Sequence, residues 1–329
     1  MPRSGSNPFR HVGLNGSAVW HRVVLPVFVP EDSGYFEQSA EVLDLCLSSL
    51  WATCGQETAI TVVVNAASRK TFEVIERHRR SGHIDTLIAF RENAGKVNAL
   101  MAGVRGSHEP IVTLTDSDIF FLPGWLEATV AVFNAFPMAG AVSALPVPHL
   151  RRQCTTATWL GAAVRGKLVR EALASPSDLE LYMRDLNSPA LIRPDQRKRQ
   201  WGVRNGCAVA LIGATHMQCT FRREVFDAAP RERCGAAMGQ DSEYCWMDLP
   251  ADLLGMWRLS LCKAYVRHMG NRVPEELLAP EAGRSDRYLA APKAPDWHWE
   301  RAWPYRMRCI CGRVVNRVCE GWLLRLRGE

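Results

Sequence analysis

The sequence has no C-x-x-C pair, no run near the ~18 apolar residues of a spanning helix, and no repeat or low-complexity tract. The first absence removes the usual zinc frameworks, and the second removes a transmembrane class. The opening residues MPRSGSNPFRHVGLNGSAVW hold no apolar core of the secretory kind, so no secretory signal is expected there. Strong charge of one sign is missing too. The net charge is +6, from 40 Lys and Arg against 34 Asp and Glu. That is too mild for a nucleic-acid binder, but suits a phosphate-bearing small ligand or an anionic surface. The eleven cysteines are scattered. Cys309 and Cys311 form a C-x-C, a weak metal signal, and free thiols in a reducing compartment explain the set more simply. These absences predict a cytoplasmic protein, with peripheral contact at the inner face of a membrane as an added possibility.

What is present is a core. Of the 329 residues, 47% are apolar and 22% charged, enough for one large domain or two closely packed ones. Short apolar, β-branched runs at 22–29, 59–65, 84–90, 111–115 and 140–147 read as buried strands. Segments with helical spacing separate them, at 36–51, 70–80, 95–106 and 124–136. This alternation predicts an α/β fold, a mostly parallel sheet covered by helices on both faces, with ligands at the carboxyl ends of its strands. Past 151 the pattern loosens. A helix is expected over 155–173, a mobile basic loop over 187–205, a return to strand over 203–221, a helix over 222–228 and a strand over 257–268.

The division expected is a loose arm (1–20), a ligand-binding part (21–150), a second part (151–270) and an extension (271–329). In the last stretch Met307, Ile310, Cys311, Val314, Val315, Val318, Trp322 and Leu326 share one helical face, while Arg306, Arg313, Arg317 and Arg327 mostly take others. Such a basic amphipathic helix docks on its own domain or a partner subunit, or lies on an anionic bilayer.

Within this frame, the stretch VTLTDSDIFFLPGWL at 112–126 poses a chemical question. Asp116 and Asp118 sit at the end of a buried strand with bulky apolar residues on both sides. Two carboxylates there are costly without compensation, and a hard divalent cation, Mg²⁺ or Mn²⁺, supplies it. The bland alternative is a solvated turn in which Asp116 caps the next segment. Asn65 ends the second strand and Pro26 to Pro30 the first, so three candidate positions fall on one sheet edge.

RENAGKVNALMAGVRG followed by IVTLTDSDIFFLPGWL resembles the nucleotide-sugar half of family 2 glycosyltransferases with the Rossmann-like GT-A fold. The residues that carry this are Asn93, Gly95, Lys96, Asn98, Ala99 and Leu100, then Asp116, Asp118, Pro123, Trp125 and Leu126. Further on, GQDSEYCWMD resembles the family's acidic base motif and AYVRHMGN its closing strand. The resemblance covers roughly 20–150, returns at 205–270 and is absent from the tail.

It implies an inverting, non-processive transfer of sugar from a nucleotide diphosphate to an acceptor hydroxyl, in glycan or glycoconjugate synthesis. The donor is expected to be UDP-linked and the acceptor a glycan or lipid-linked molecule. Asp241 takes the catalytic base position, with Glu243 in reserve. Asp118 and His268 are the expected metal contacts. Asp116 is expected on the ribose or donor sugar, Lys96 and Arg91 on phosphates or donor hydroxyls, and Pro26, Phe28 and Asn65 around the base and ribose. Two departures matter: Gln240 replaces the family's usual Glu, and Asn65 replaces the Asp that reads uracil, leaving an amide oxygen to accept from the imide N–H. No Q-x-x-R-W follows Asp241, which argues against a polymer synthase. Bland roles exist for each: Asp241 as a helix cap, His268 as a strand histidine, Lys96 on a solvated turn. A non-catalytic nucleotide-sugar or carbohydrate-binding module is the rival from another class. A sugar-1-phosphate nucleotidyltransferase would need a Gly-rich basic loop where VFVPEDSG stands.

Overall fold

Val23 to Val29 are almost all buried, as a strand covered on both faces requires, and they form most of β1 (His21–Val29). The computed structural model describes residues 18–239 and 241–277, with Gly5 and Arg10 ahead of them. The expected amphipathic helix of the tail and nearly all of the expected arm lie outside the described residues.

The chain alternates through α1 (Ser39–Thr53), β2 (Thr58–Ala67), α2 (Arg69–Arg80), β3 (Thr86–Ala89), α3 (Lys96–Arg105), β4 (Ile111–Thr115), β5 (Ile119–Phe121), α4 (Trp125–Ala135) and β6 (Ala139–Ser143). It continues as α5 (Thr156–Val164), β7 (Leu168–Glu171), α6 (Pro176–Asp185), α7 (Pro194–Lys198), β8 (Gln200–Asn205), β9 (Ala208–Ile212) and β10 (Gln218–Arg222). α8 (Leu249–Leu253), β11 (Trp257–Ser260) and β12 (Val266–His268) complete it. No described helix is long and apolar enough to cross a membrane.

The main sheet has the order β3-β2-β1-β4-β10-β6-β11-β9-β8-β7. Its first four strands are mutually parallel. β6, β11 and β8 run with them, while β10, β9 and β7 run against. The expected α/β class, a mostly parallel sheet flanked by helices, is what forms. Period-two alternation divides the core: Val23, Val62 and Ile111 fall in one apolar cluster, and Val24, Val63 and Val112 in the other.

Three features of the sheet build the site. β4 pairs β1 only from His21 to Val24, so β1 continues past it with β2 alone as partner. Pro26, with no N–H to give, sits in that freed stretch. Second, β5 leaves the main sheet after the Asp116-Ser117-Asp118 turn and pairs antiparallel with β12, His268 opposite Ile119. Third, α3 starts at Gly95, whose φ is +86°, and a Cβ there would lie 2.8 Å from the Ala236 carbonyl oxygen.

The second half departs from expectation in ways packing explains. The helix expected over 155–173 stops at Val164, and β7 follows as an edge strand on β8. The stretch 187–205 is not a bare loop, because α7 and β8 occupy much of it; Gln200 is buried and accepts the Leu173 and Ala174 N–H groups. The expected 203–221 strand is three strands, residues 223–227 form a short 3-10 turn, and 257–268 breaks into β11 and β12. β5 and α6 were not expected at all.

Candidate active site

The carboxyl ends of β1, β2 and β4 converge with the start of α3 and the end of β12 around a cleft of about 420 Å³. Six expected residues line it: Pro26, Phe28, Asn65, Lys96, Asp116 and Asp118. Phe28, Tyr35 and Phe36 form an aromatic rim, with Phe36 5.1 Å from Tyr35 and 6.2 Å from Phe28 between centroids. Phe28 is 42% and Tyr35 69% exposed, so flat apolar faces meet solvent at the mouth, where a base can stack.

The inner end is acidic around one ammonium. Lys96 Nζ lies 2.6 Å from Asp116 Oδ1 and 3.9 Å from Glu243 Oε1. Burial works against the charge on Lys96, but Asp116, Glu243 and Asp118 outweigh it and raise its pKa. Asp116 is fixed by its own backbone, whose N–H donates to the Met217 carbonyl at 2.8 Å. Asp118 Oδ2 is 3.3 Å from His268 Nε2, and the Asp118 carbonyl accepts the Met269 N–H at 2.8 Å. Burial pushes the Asp118 carboxyl up, to about 6, with His268 opposing the shift and Asp116 adding to it.

The donor set fits a divalent cation in part. Asp118 Oδ1 and His268 Nδ1 are buried without a hydrogen-bond partner, one hard oxygen and one imidazole nitrogen. Three carboxylates face a single lysine, which leaves the inner end negative. Yet no group of three or more His, Cys, Asp or Glu is arranged to hold a metal among the described residues. A pair of protein donors holds Mg²⁺ or Mn²⁺ when ligand phosphate oxygens complete the shell.

Asn65 is committed to structure. It is 4% exposed, its Nδ2 donates to Asn93 Oδ1 at 2.8 Å, and its Oδ1 accepts the Ala94 N–H at 2.7 Å. The amide braces the turn that launches α3, and only the second lone pair of Oδ1 is left for a ligand. Arg91, expected against the donor, is not among the cleft residues. It precedes the Asn93–Gly95 turn and lines the adjoining cavity with Phe90, Arg231 and Arg233.

Asp241 and Glu243 lie on opposite footing. Asp241 is exposed with φ +61°, a left-handed backbone that glycine usually supplies. Glu243 is 9% exposed. Burial disfavours its charge, but the Ser242 hydroxyl at 2.7 Å, a backbone N–H, Lys96 and His216 hold its pKa lowered. A single π-helical turn, Tyr244–Asp248, follows, a geometry common beside functional groups.

Sequence reading missed a buried support behind Glu243. Asp248 Oδ1 accepts Arg258 Nη2 at 2.7 Å, and its Oδ2 accepts Gln153 Nε2 at 2.6 Å and lies 3.4 Å from His216 Nδ1. Arg258 is 0% and Asp248 1% exposed. The one signal available was an arginine inside the apolar run WRLSL.

Residues 35–152, the span from the aromatic rim through the Asp116–Asp118 turn, match the family model described as glycosyl transferase family 2. No curated protein sequence matches the chain. Among solved structures, the chain is similar to the mannosyltransferase PcManGT of Pyrobaculum calidifontis in complex with GDP-Man and Mn²⁺. That match has 17% identity and a TM-score of 0.41, over 74% of this chain and 55% of that one. It is also similar to S. aureus TarS 1–349 in complex with UDP, at 14% identity and a TM-score of 0.42, over 75% of this chain and 60% of that one. The chain thus spans a little over half of the first and three fifths of the second. Those ligands are properties of those proteins.

Proposed function

We propose that this chain is a family 2 glycosyltransferase, inverting and metal-dependent, that moves a sugar from a nucleotide diphosphate, UDP in first place, to an acceptor hydroxyl. One observation carries the reading: Asp116 and Asp118 stand at the inner end of a cleft whose mouth is aromatic, facing Lys96, Glu243 and His268. An apolar slot at one end and an acidic pocket with orphaned donors at the other suit a base and a metal-bound diphosphate respectively.

In this reading Phe28, with Tyr35 and Phe36 beside it, holds the base, and Asn65 offers its remaining lone pair to the uracil imide. Asp116, oriented by Lys96 and by the Met217 carbonyl, meets a ribose or sugar hydroxyl. Asp118 and His268 would hold Mn²⁺ or Mg²⁺, which supplies charge neutralisation for the diphosphate. Asp241 removes the acceptor hydroxyl's proton as the new glycosidic C–O bond forms and the anomeric C–O bond to the diphosphate breaks. Glu243 stands behind it as reserve. A glycan or lipid-linked acceptor, glycan synthesis as the setting, a place on the cytoplasmic side and peripheral membrane contact through the tail belong to the same proposal.

Calorimetric titration with uridine diphosphate tests it. Binding is expected with Mn²⁺ and to weaken strongly when the metal is chelated or when Asp118 becomes Ala. Equal binding with and without metal in both proteins would overturn the metal-dependent reading.

A further inference from the structure

A second cavity, of about 580 Å³, adjoins the donor cleft at Asn93, which lines both. Its rim carries Arg91, Arg105, Arg231 and Arg233, opposed by Glu92 and Glu232, so two positive charges are in excess. Arg91, Arg231 and Arg233 have no ion pair among the described residues. Phe90 and Trp246 contribute aromatic wall. Guanidinium groups left unpaired around a concave space are suited to phosphate, which they bind through paired N–H donors.

The walls are built rather than draped. Arg105 Nη2 donates to the Pro230 carbonyl at 2.7 Å. Asn98 clamps Cys234 from both sides, accepting its N–H at 2.9 Å and donating to its carbonyl at 2.8 Å. The Lys96 N–H donates to the Ala237 carbonyl at 2.8 Å. The segment that carries Arg231 and Arg233 is therefore fastened along α3.

The cavity also leads to the donor cleft. A smaller cavity of about 380 Å³ shares Asn93, Ala94 and Arg233 with the basic one, and Asn93 and Ala237 with the cleft. We infer that the basic cavity binds a phosphate-bearing chain of the acceptor and leads it past Asn93 toward the transfer site. The inference rests on the proposed glycosyl transfer for the word acceptor, but its ligand chemistry stands on the arginines alone. The cavity's size and the placing of arginines on two walls, loop 91 and segment 231–233, favour several phosphates over one.

Calorimetry of the full chain with metal chelated uses tripolyphosphate and orthophosphate as probes. Tripolyphosphate is expected to bind, to weaken with salt, and to lose about tenfold in affinity in Arg231→Ser/Arg233→Ser, the size of losing a charge-assisted contact. Arg91→Ser, on a separate segment of the lining, is expected to lose a comparable amount, and Lys96→Met in the donor cleft to leave tripolyphosphate binding as it is. No binding, equal binding in both arginine variants, or loss confined to Lys96→Met would overturn the inference. Orthophosphate binding as tightly as tripolyphosphate would show a site for free phosphate and overturn the acceptor chain. Mn²⁺-dependent uridine diphosphate binding, measured separately in the arginine variants, should be unchanged. Its absence from the parent protein would count against the transferase reading and leave the cavity's result standing.

Discussion

β1, β2 and β4 bury valine, leucine and isoleucine on both faces, while β10 and β11, further along the same sheet, each bury an arginine. Arg222 donates to the Ala139 and Pro137 carbonyls, and burial lowers its pKa to about 10. Arg258 is held by Asp248 and by the Ala214 carbonyl. The first region is stabilised by apolar area, which is indifferent to partners. The second depends on charges that must each be matched, since an unmatched buried charge costs several kcal/mol. The candidate site sits on the seam: one side supplies an edge with Asp116 and Asn65, the other Glu243, His268 and the segment from 231 to 239.

The sharpest test of that division is chemical. If the second region supplies the base, Asp241→Asn lowers the transfer rate by about 10²–10⁴-fold while donor binding persists. Glu243→Gln, next to Lys96, is expected to lose less. Rate measurements on both variants decide it, and the opposite order would move the proton to Glu243.

Buried charge comes next. Arg258→Met leaves Asp248 charged and uncompensated in the interior and should destabilise the fold by about 3–5 kcal/mol. Adding Asp248→Asn should recover much of that loss. Urea unfolding of the single and double variants measures it, and additive losses would mean the two residues act separately.

The same contrast explains what could be read in advance. The first region's strands followed from apolar runs, because a strand buried on both faces has no other way to be written. Its candidate site residues are legible from their place at strand ends. The amide of Asn65 did not, because its partners Asn93 and Ala94 are brought near only by the turn before α3. In the second region, strands such as QWGVRN and QCTFR carry polar residues whose partners lie far off in sequence. Gln218 accepts the Ala144 N–H, and Arg222 reaches back to Pro137. No local pattern marks such residues as core, so the start of β8, Gln200 to Gly202, falls only within the expected loop, while strand is expected from Val203 on.

The apolar region has one charge-sensitive point of its own. His21 is fully buried between the Thr58 and Thr113 hydroxyls, and burial pushes its imidazole down to about 3 from 6.5. Below about pH 6.5 the unfolded chain takes up a proton that the folded one refuses, so stability falls as pH drops from there toward 3. Between neutral pH and pH 4 the loss is about 3 kcal/mol as an upper figure. His21→Gln keeps both hydroxyl contacts without the titration and should flatten that slope in urea melts across the range. An unchanged slope would place the acid sensitivity elsewhere, with His149, lowered to about 4 by burial, as the next group to test.

The smallest expected effect tests the seam itself. Gly95 belongs to the apolar region, but the atom nearest its missing Cβ is the Ala236 carbonyl oxygen of the other, at 2.8 Å. The neighbouring Lys96 N–H donates to the Ala237 carbonyl, so backbone meets backbone across the two regions here. Alanine at 95 meets a positive φ and a backbone oxygen that cannot rotate away, a cost of about 1–3 kcal/mol. Part of it should appear as displacement of the 231–237 segment rather than as lost global stability. Hydrogen exchange at Cys234 and Ala236 reads that displacement, and chemical unfolding reads the remainder. Faster exchange at those amides with little change in the unfolding midpoint would show that the second region yields first. A full loss in the midpoint with exchange unchanged would show that the two regions unfold as one.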